Sequence, residues 1–238
     1  HKRRSKEKQY NMAQKVNPNA FRLGITTTWS SRWFLNRNTR FFLEEDLAIR
    51  EFIRERLKEA GIVSIDIERA SDTIRVSIRA ARPGLIIGRG GKGIEEMKEK
   101  LLRSLKKLRI ANKVPTNFAL NLNVEELKRT EIASAVLGQQ IATDLERRQP
   151  YRKIMKRAIE NAMQNRDIKG IKIKLSGRLN GAEISRVEWL AKGRMPLSTL
   201  RANIDYAEAT SFNTYGTIGI KVWLYKGEIF DTKTEGRK

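Results

Sequence analysis

Pro83-Gly84-Leu85-Ile86-Ile87-Gly88-Arg89-Gly90-Gly91-Lys92-Gly93-Ile94 runs an apolar triplet into a cluster of glycines, with Arg89 and Lys92 set among them. Behind it Met97, Leu101, Leu102, Leu105 and Leu108 recur at helical spacing. Glycine lacks a Cβ, so such a backbone can lie close to another and turn through dihedrals that other residues avoid. What the loop meets decides the fold.

Several readings compete. Gly88-x-Gly90-x-x-Gly93 has the form of a dinucleotide fingerprint, which needs an acid about 20 residues on. Ala111-Asn112-Lys113-Val114 offers none. A P-loop needs Lys and then Ser or Thr after its last glycine, but Ile94 and Glu95 follow Gly93. Gly88-Arg89-Gly90-Gly91 also reads as the GxxG loop of a KH domain, which clamps about four nucleotides of single-stranded nucleic acid. The plainer alternative is a helix corner in which glycine is only a hinge.

The flanking sequence favours the KH reading. Glu44 to Glu59 carries Leu47, Ile49, Phe52, Ile53 and Leu57 at helical spacing and stops at Gly61. Ile62 to Glu68 and Thr73 to Arg79 alternate apolar and polar residues as strands do, with Ser71-Asp72 as the turn between them. Pro83 suits the first turn of a short helix through Ile87. A helix over Ile94 to Leu108 and an extended Phe118 to Val124 complete the unit. Helix, strand, strand, helix, loop, helix, strand is the order of a type II KH domain, an α+β layer with helices on one face of a sheet.

Charge points to the partner. The chain holds 49 Lys and Arg against 27 Asp and Glu, a net charge of +22, and a polyanion is the obvious counterpart. The excess is localised. From His1 to Arg37 there are nine bases and one acid, whereas Glu44 to Asp72 has nine acids and five bases. Arg82 to Lys113 has ten bases and three acids, and Arg147 to Arg178 eleven bases and two acids. The binding surface is therefore expected on the tail, the glycine-loop side and the later segment, not on the first helix and strand.

Other chemistries find little support. There is no cysteine and the one histidine is His1, so thiolate metal sites, a Cys nucleophile and a Ser-His pair are absent. No cofactor or metal is expected. No apolar run approaches the ~18 residues of a membrane span. Met12-Ala13-Gln14-Lys15-Val16-Asn17-Pro18 looks like a second beginning. Beyond it Trp29, Trp33 and Phe34 interleave with Arg22, Arg32 and Arg37. These rings can stack on RNA bases or simply dock the tail, and the sequence weighs both equally.

A second unit is expected after Val124. Glu125 to Arg148 reads as a helix, and Pro150 as the first turn of another. There Tyr151, Ile154, Met155, Ala158, Ile159 and Ala162 form one stripe, with Arg152, Lys153, Lys156 and Arg157 opposite. Six bases fall between Arg147 and Arg157 without an acid to pair at i, i+4, which favours a phosphate partner over an ordinary solvated face. Ile171 to Leu175 is a half-buried strand with Lys172 and Lys174 on its open face. Asn180-Gly181 supplies a turn, and strand patterns follow near Glu183 to Ala191, Ile204 to Thr210 and Gly219 to Tyr225. The second domain is thus two helices on a mostly antiparallel sheet.

Several segments carry a specific resemblance. They are Met12 to Asn19, Arg22-Leu-Gly-Ile, Ala81-Arg-Pro-Gly-Leu-Ile-Ile-Gly, Leu145-Glu-Arg-Arg, Met155-Lys-Arg-Ala, Ser176-Gly-Arg-Leu-Asn-Gly-Ala-Glu-Ile, Gly193-Arg-Met-Pro-Leu-Ser-Thr-Leu-Arg-Ala and Tyr215-Gly-Thr-Ile-Gly-Ile-Lys-Val-Trp. Together, over Met12 to about Phe230, they resemble the bacterial small-subunit (30S) ribosomal protein S-three family. The division is then a basic tail over 1–43 (1–11 outside the family pattern), a type II KH domain over 44–125, a C-terminal α+β domain over 126–226 and a tail over 227–238. The resemblance implies a ribosome-bound, cytoplasmic protein of the subunit head and not an enzyme. Its partners would be 16S rRNA, mRNA and neighbouring head proteins of the S-ten and S-fourteen families, with no membrane. RNA contacts are expected at Gly88, Arg89, Gly90, Gly91, Lys92, Arg147, Arg148, Lys172, Lys174 and Arg178. Arg152, Lys153 and Lys156 match the bases that line the mRNA entrance and take part in unwinding. Two departures stand out: Asn17 replaces the family's usual histidine, and Lys153 a common arginine, keeping charge but losing the planar fork that pairs bidentately with phosphate. The alternative is a free KH-type RNA-binding regulator; a nuclease, which would need clustered acids, ranks third.

Overall fold

A computed structural model of the chain describes residues 15–34, 39–70, 73–112, 115, 117–127 and 131–230, and of Arg89 the backbone only. The Met12 start, Arg37 and the Ser71-Asp72 turn lie outside the described residues. Asn17, whose side-chain oxygen accepts from the Asn19 amide at 2.9 Å, caps the single turn Pro18–Phe21 (α1). The residue that departs from the family pattern thus has a local task as a helix cap. Ser31–Trp33 (β1) and the long helix Thr39–Arg56 (α2) follow. Then come Ile62–Arg69 (β2), Thr73–Ala80 (β3), Pro83–Ile87 (α3), the 3-10 turn Arg89–Gly91, Lys92–Ala111 (α4) and Ala119–Glu126 (β4). The remainder is Ser134–Glu146 (α5), Tyr151–Met163 (α6), Gly170–Gly177 (β5), Arg186–Gly193 (β6), Ala202–Asn213 (β7) and Gly216–Glu228 (β8).

The first sheet has the order β1-β2-β3-β4, antiparallel between β2 and β3 and parallel on either side. Alternation in β2 and β3 turns Ile65, Ile67, Ile74, Val76 and Ile78 onto the helices, where Ile49, Ile53, Leu101 and Leu105 meet them. Each such side chain contributes about 1.5–3 kcal/mol by leaving water. The second sheet, β6-β5-β8-β7, is antiparallel throughout. Helices α5 and α6 cover one face, packing Ile141, Ile154 and Met155 on Ile171, Ile173, Leu175 and Val222. The α+β architecture, a KH order followed by two helices on a sheet, is the expected one.

Three local expectations need correction. The first KH helix starts at Thr39, before Glu44. The region from Glu125 is not helical at its start: β4 runs to Glu126, the Leu127 amide still bonds to Ala80 O, and α5 begins only at Ser134. The reason is a cap from afar. Asp205 on β7 accepts from the Ser134 amide (2.9 Å) and hydroxyl (2.5 Å), so the helix starts where that carboxylate stands. Third, Pro150 is the cap residue that precedes α6, not part of its first turn.

The tail belongs to both domains. Arg22 is fully buried, and its guanidinium donates to the carbonyls of Pro18, Pro196, Leu197, Thr199 and Ala202. Burial lowers its pKa, and no carboxylate pairs with it among the described residues. Ten residues on, β1 joins the first sheet, and Trp33 Nε1–H donates to Asp46 Oδ2 at 3.0 Å. Of the residues read as equally suited to RNA or docking, Arg22 and Trp33 therefore dock, while Trp29 and Phe34 remain exposed. Removing 15–34 would therefore remove structural parts of both domains.

Beneath Trp33 four charges are buried together. Arg69 pairs with Asp46 (2.5 Å) and Glu45 (2.6 Å), and Arg109 with Glu45 (2.7 Å). Removing one member of such a set strands the others. Glu45→Ala should therefore destabilise the first domain by about 3–5 kcal/mol, seen as lost amide-exchange protection across β2 to β4. A loss below about 0.5 kcal/mol, the size of an ordinary surface change, would deny the network this role.

Candidate nucleic-acid interface

Helix α6 brings the first basic face together. Its stripe Tyr151, Ile154, Met155, Ala158, Ile159 and Ala162 is buried, which turns Arg152, Lys153, Lys156 and Arg157 outward to line one open concavity with Glu160. Arg152 is not a free cation. Glu188 of β6 accepts from its Nη2 at 3.3 Å and from the Tyr151 hydroxyl at 2.6 Å. The Tyr151 hydrogen bond first, then that from Arg152, hold the Glu188 carboxyl below its usual pKa. No acid lies between Arg147 and Arg157, as the sequence reads, but the fold supplies one from 36 residues away. Among the described residues Lys153, Lys156 and Arg157 have no ion-pair partner.

At the glycine loop the four positions divide in two. A Cβ on Gly93 would sit 2.8 Å from Ile86 O, and one on Gly88 3.2 Å from the Gly93 amide nitrogen. These two glycines let α3 and α4 meet backbone to backbone. Gly90 and Gly91 instead take positive φ (63° and 79°) and have open space where a Cβ would be. Backbone is thus presented to solvent beside exposed Lys92, Leu85 and Ile87, a polar edge with an apolar floor. The side chain of Arg89 lies outside the described residues.

The other expected contacts are scattered over the second domain. Lys172 and Lys174 do lie on the uncovered face of β5. Lys172 Nζ, however, sits 4.9 Å from the Trp189 ring centre and 5.6 Å from that of Trp223. Burial first, then Lys15 and Lys174, lower its pKa. Trp189 had no signal in the sequence, because only the register Lys174 opposite Trp189 places it there. Arg147 is exposed at the end of α5, and Arg148 follows in a left-handed conformation (φ 59°). Arg178 spends part of its fork on structure, donating to Ala182 O (2.8 Å) and Tyr215 O (3.1 Å).

Comparison with known proteins agrees with this layout. Residues 48–132 match a model described as KH domain, and residues 141–224 one described as "Ribosomal protein S3, C-terminal domain". The chain is 47% identical over 220 residues to the "Small ribosomal subunit protein uS3" of Synechococcus sp., covering 92% of this chain and 86% of that one. Proteins of the same name from Desulfitobacterium hafniense (42%, covering 93% and 96%) and Pseudomonas paraeruginosa (43%, covering 95% of each) match over a similar length.

Two measurements test the faces. Glu188→Gln keeps an acceptor for Tyr151 but removes a negative charge beside Arg152. Single-stranded RNA should bind up to about fivefold tighter at low salt, the worth of one nearby charge in water, and the gain should fade as salt rises. Unchanged affinity would mean that Arg152 does not meet phosphate. Gly91→Asp places a carboxylate at the exposed loop while α3 and α4 still pack through Gly88 and Gly93. RNA affinity should fall, beside a stability cost of about 1 kcal/mol for a side chain at the left-handed φ of Gly91; equal affinity would leave the loop a hinge.

Proposed function

Because the chain belongs to the small ribosomal subunit protein uS3 family, we propose that it lines the mRNA entrance of the subunit head and helps to part message strands there. Membership makes it a ribosomal protein that binds rRNA, not an enzyme in its own right. The finer reading concerns which surfaces meet which RNA. The observation that carries it is the solvent face of α6, where Lys153 and Lys156 have no ion-pair partner among the described residues and line one open concavity with Arg152, which pairs with Glu188. Cations on this face can grip phosphates without disturbing the apolar stripe behind them.

The remaining basic positions serve assembly. Gly90, Gly91 and Lys92 offer backbone and charge to RNA, and Lys172, Lys174, Arg147, Arg148 and Arg178 extend the contact over the second domain. Head proteins of the S-ten and S-fourteen families are its protein neighbours in this arrangement. The glycine loop has Ile94 and Glu95 where a triphosphate site needs Lys and a hydroxyl. Unwinding therefore draws its energy from translocation, and α6 acts passively, holding one strand as message is pulled past.

Arg152→Ala, Lys153→Ala and Lys156→Ala together test the assignment. Each is a surface change that costs at most about 0.5 kcal/mol, so assembly into subunits should be normal. Each lost phosphate contact should reduce the log-log salt slope of single-strand binding by about 0.7. Ribosomes carrying the triple variant should translate unstructured message at normal speed and pause at a stable hairpin. Equal speed through the hairpin removes these residues from unwinding. A parent protein that fails to sediment with small subunits at moderate salt would favour a free regulator.

A further inference from the structure

The α5–α6 corner, the turn at Arg178 to Gly181 and the tip of the β7–β8 hairpin enclose a cleft of about 370 Å³. That is the size of a small-ligand site. Two large rings stand at its mouth, Phe212 at 72% exposure and Tyr215 at 58%. Neither is needed to fill a core. The Tyr215 ring lies against Gly181, where a Cβ would come within 3.2 Å of it, yet more than half of the residue stays exposed.

Cations flank the rings. Arg178 lies 5.7 Å from the Tyr215 ring centre and is held in place by Ala182 O and Tyr215 O. Those bonds use Nε and Nη1, and its Nη2 has no hydrogen bond among the described residues. Arg148 is exposed at the opposite wall and has no ion-pair partner there. One carboxylate is present, that of Glu146, with Oε1 accepting from the Phe212 amide at 3.2 Å. Backbone conformation marks the same place. Arg148 (φ 59°) and Asn180 (φ 55°) are the two non-glycine residues with positive φ among those described, and both line this cleft. Both belong to the local backbone that shapes the walls: Arg148 closes α5, where its amide and that of Gln149 donate to Leu145 O and Asp144 O, and Asn180 turns the chain before Gly181.

We propose that this cleft takes one unstacked nucleotide of single-stranded RNA, its base on Tyr215 and Phe212 and its phosphate on Arg148 and Arg178. Open aromatic faces stack on bases, and guanidinium forks pair with phosphate. The second oxygen of Glu146 can accept from the amino group of a base, which a bare anion lacks. Pro150, which caps α6, also lines the cleft, so a strand gripped along α6 runs into it. The site rests on the RNA-binding reading and gives it a point where a base, not only the backbone, is held.

The test uses the full chain and guanosine 5′-monophosphate, followed by saturation transfer to the base protons. Tyr215→Ala with Phe212→Ala should weaken binding about tenfold, the worth of one lost base stack. Tyr215→Phe should leave it intact, since the ring remains. Ribose 5-phosphate, which has no base, should compete poorly. If it competes as well as the nucleotide, or if the double aromatic variant binds like the parent, the cleft is no base site and the proposal fails. Binding of an oligouridylate strand by the parent is measured alongside: loss of the nucleotide result with strand binding intact overturns the cleft alone, whereas absence of strand binding overturns the RNA-binding reading itself.

Discussion

Glu45 and Asp46, side by side on α2, meet Arg69 from β2 and Arg109 from α4 inside the first domain. Two carboxylates and two guanidiniums out of water are tolerable only because each is paired and hydrogen-bonded. The set joins three elements around the core, and Trp33 adds a fourth by donating to Asp46. It also explains part of the acid-rich stretch at the start of the domain. Those acids do not all colour the surface; two of them are consumed by arginines that would otherwise add to an already large positive charge.

Elsewhere buried arginine is satisfied without acid. Among the described residues Arg22 finds only carbonyl oxygens, five of them, and so pins the loop from Pro196 to Ala202 to the tail. Arginine suits this because its fork presents several donors at fixed angles. Among the described residues Lys153 and Lys156 of α6 have no such partner. A basic protein that folds can spend some cations on its own structure and leave others at the surface, and here the division largely follows the side-chain chemistry. Arg152 stands between the two groups, held by Glu188 yet open to solvent.

The glycine loop shows the same division in backbone form. Gly88 and Gly93 are spent on the close approach of α3 and α4, and this contact aims the exposed Gly90 and Gly91 outward. Loop and α6 therefore present different surfaces, one of backbone and apolar floor, the other of charge. Their separation on two domains makes the tail consequential, because α1 docks on the second domain and β1 on the first.

Periodicity was enough to order the elements from α2 onward, though not to show α1 or β1. Residues such as Ile65, Ile67, Val76 and Ile78 alternate because one face of a strand is wet, and Ile154, Met155, Ala158 and Ala162 recur because one side of a helix is dry. These patterns are local, and with the GxxG spacing they fixed the KH order and the outward face of α6. What they could not contain is any partner distant along the chain. The start of α5 depends on Asp205, 71 residues away, the pairing of Arg152 on Glu188, and the burial of Arg22 on carbonyls more than 170 residues on. The rings of Phe212 and Tyr215 meet Arg148 and Arg178 only once the hairpin folds back on the α5–α6 corner. Hydrophobic repeat reports whether a residue faces water, whereas capping, ion pairing and clefts depend on which donor or acceptor the finished fold sets opposite it.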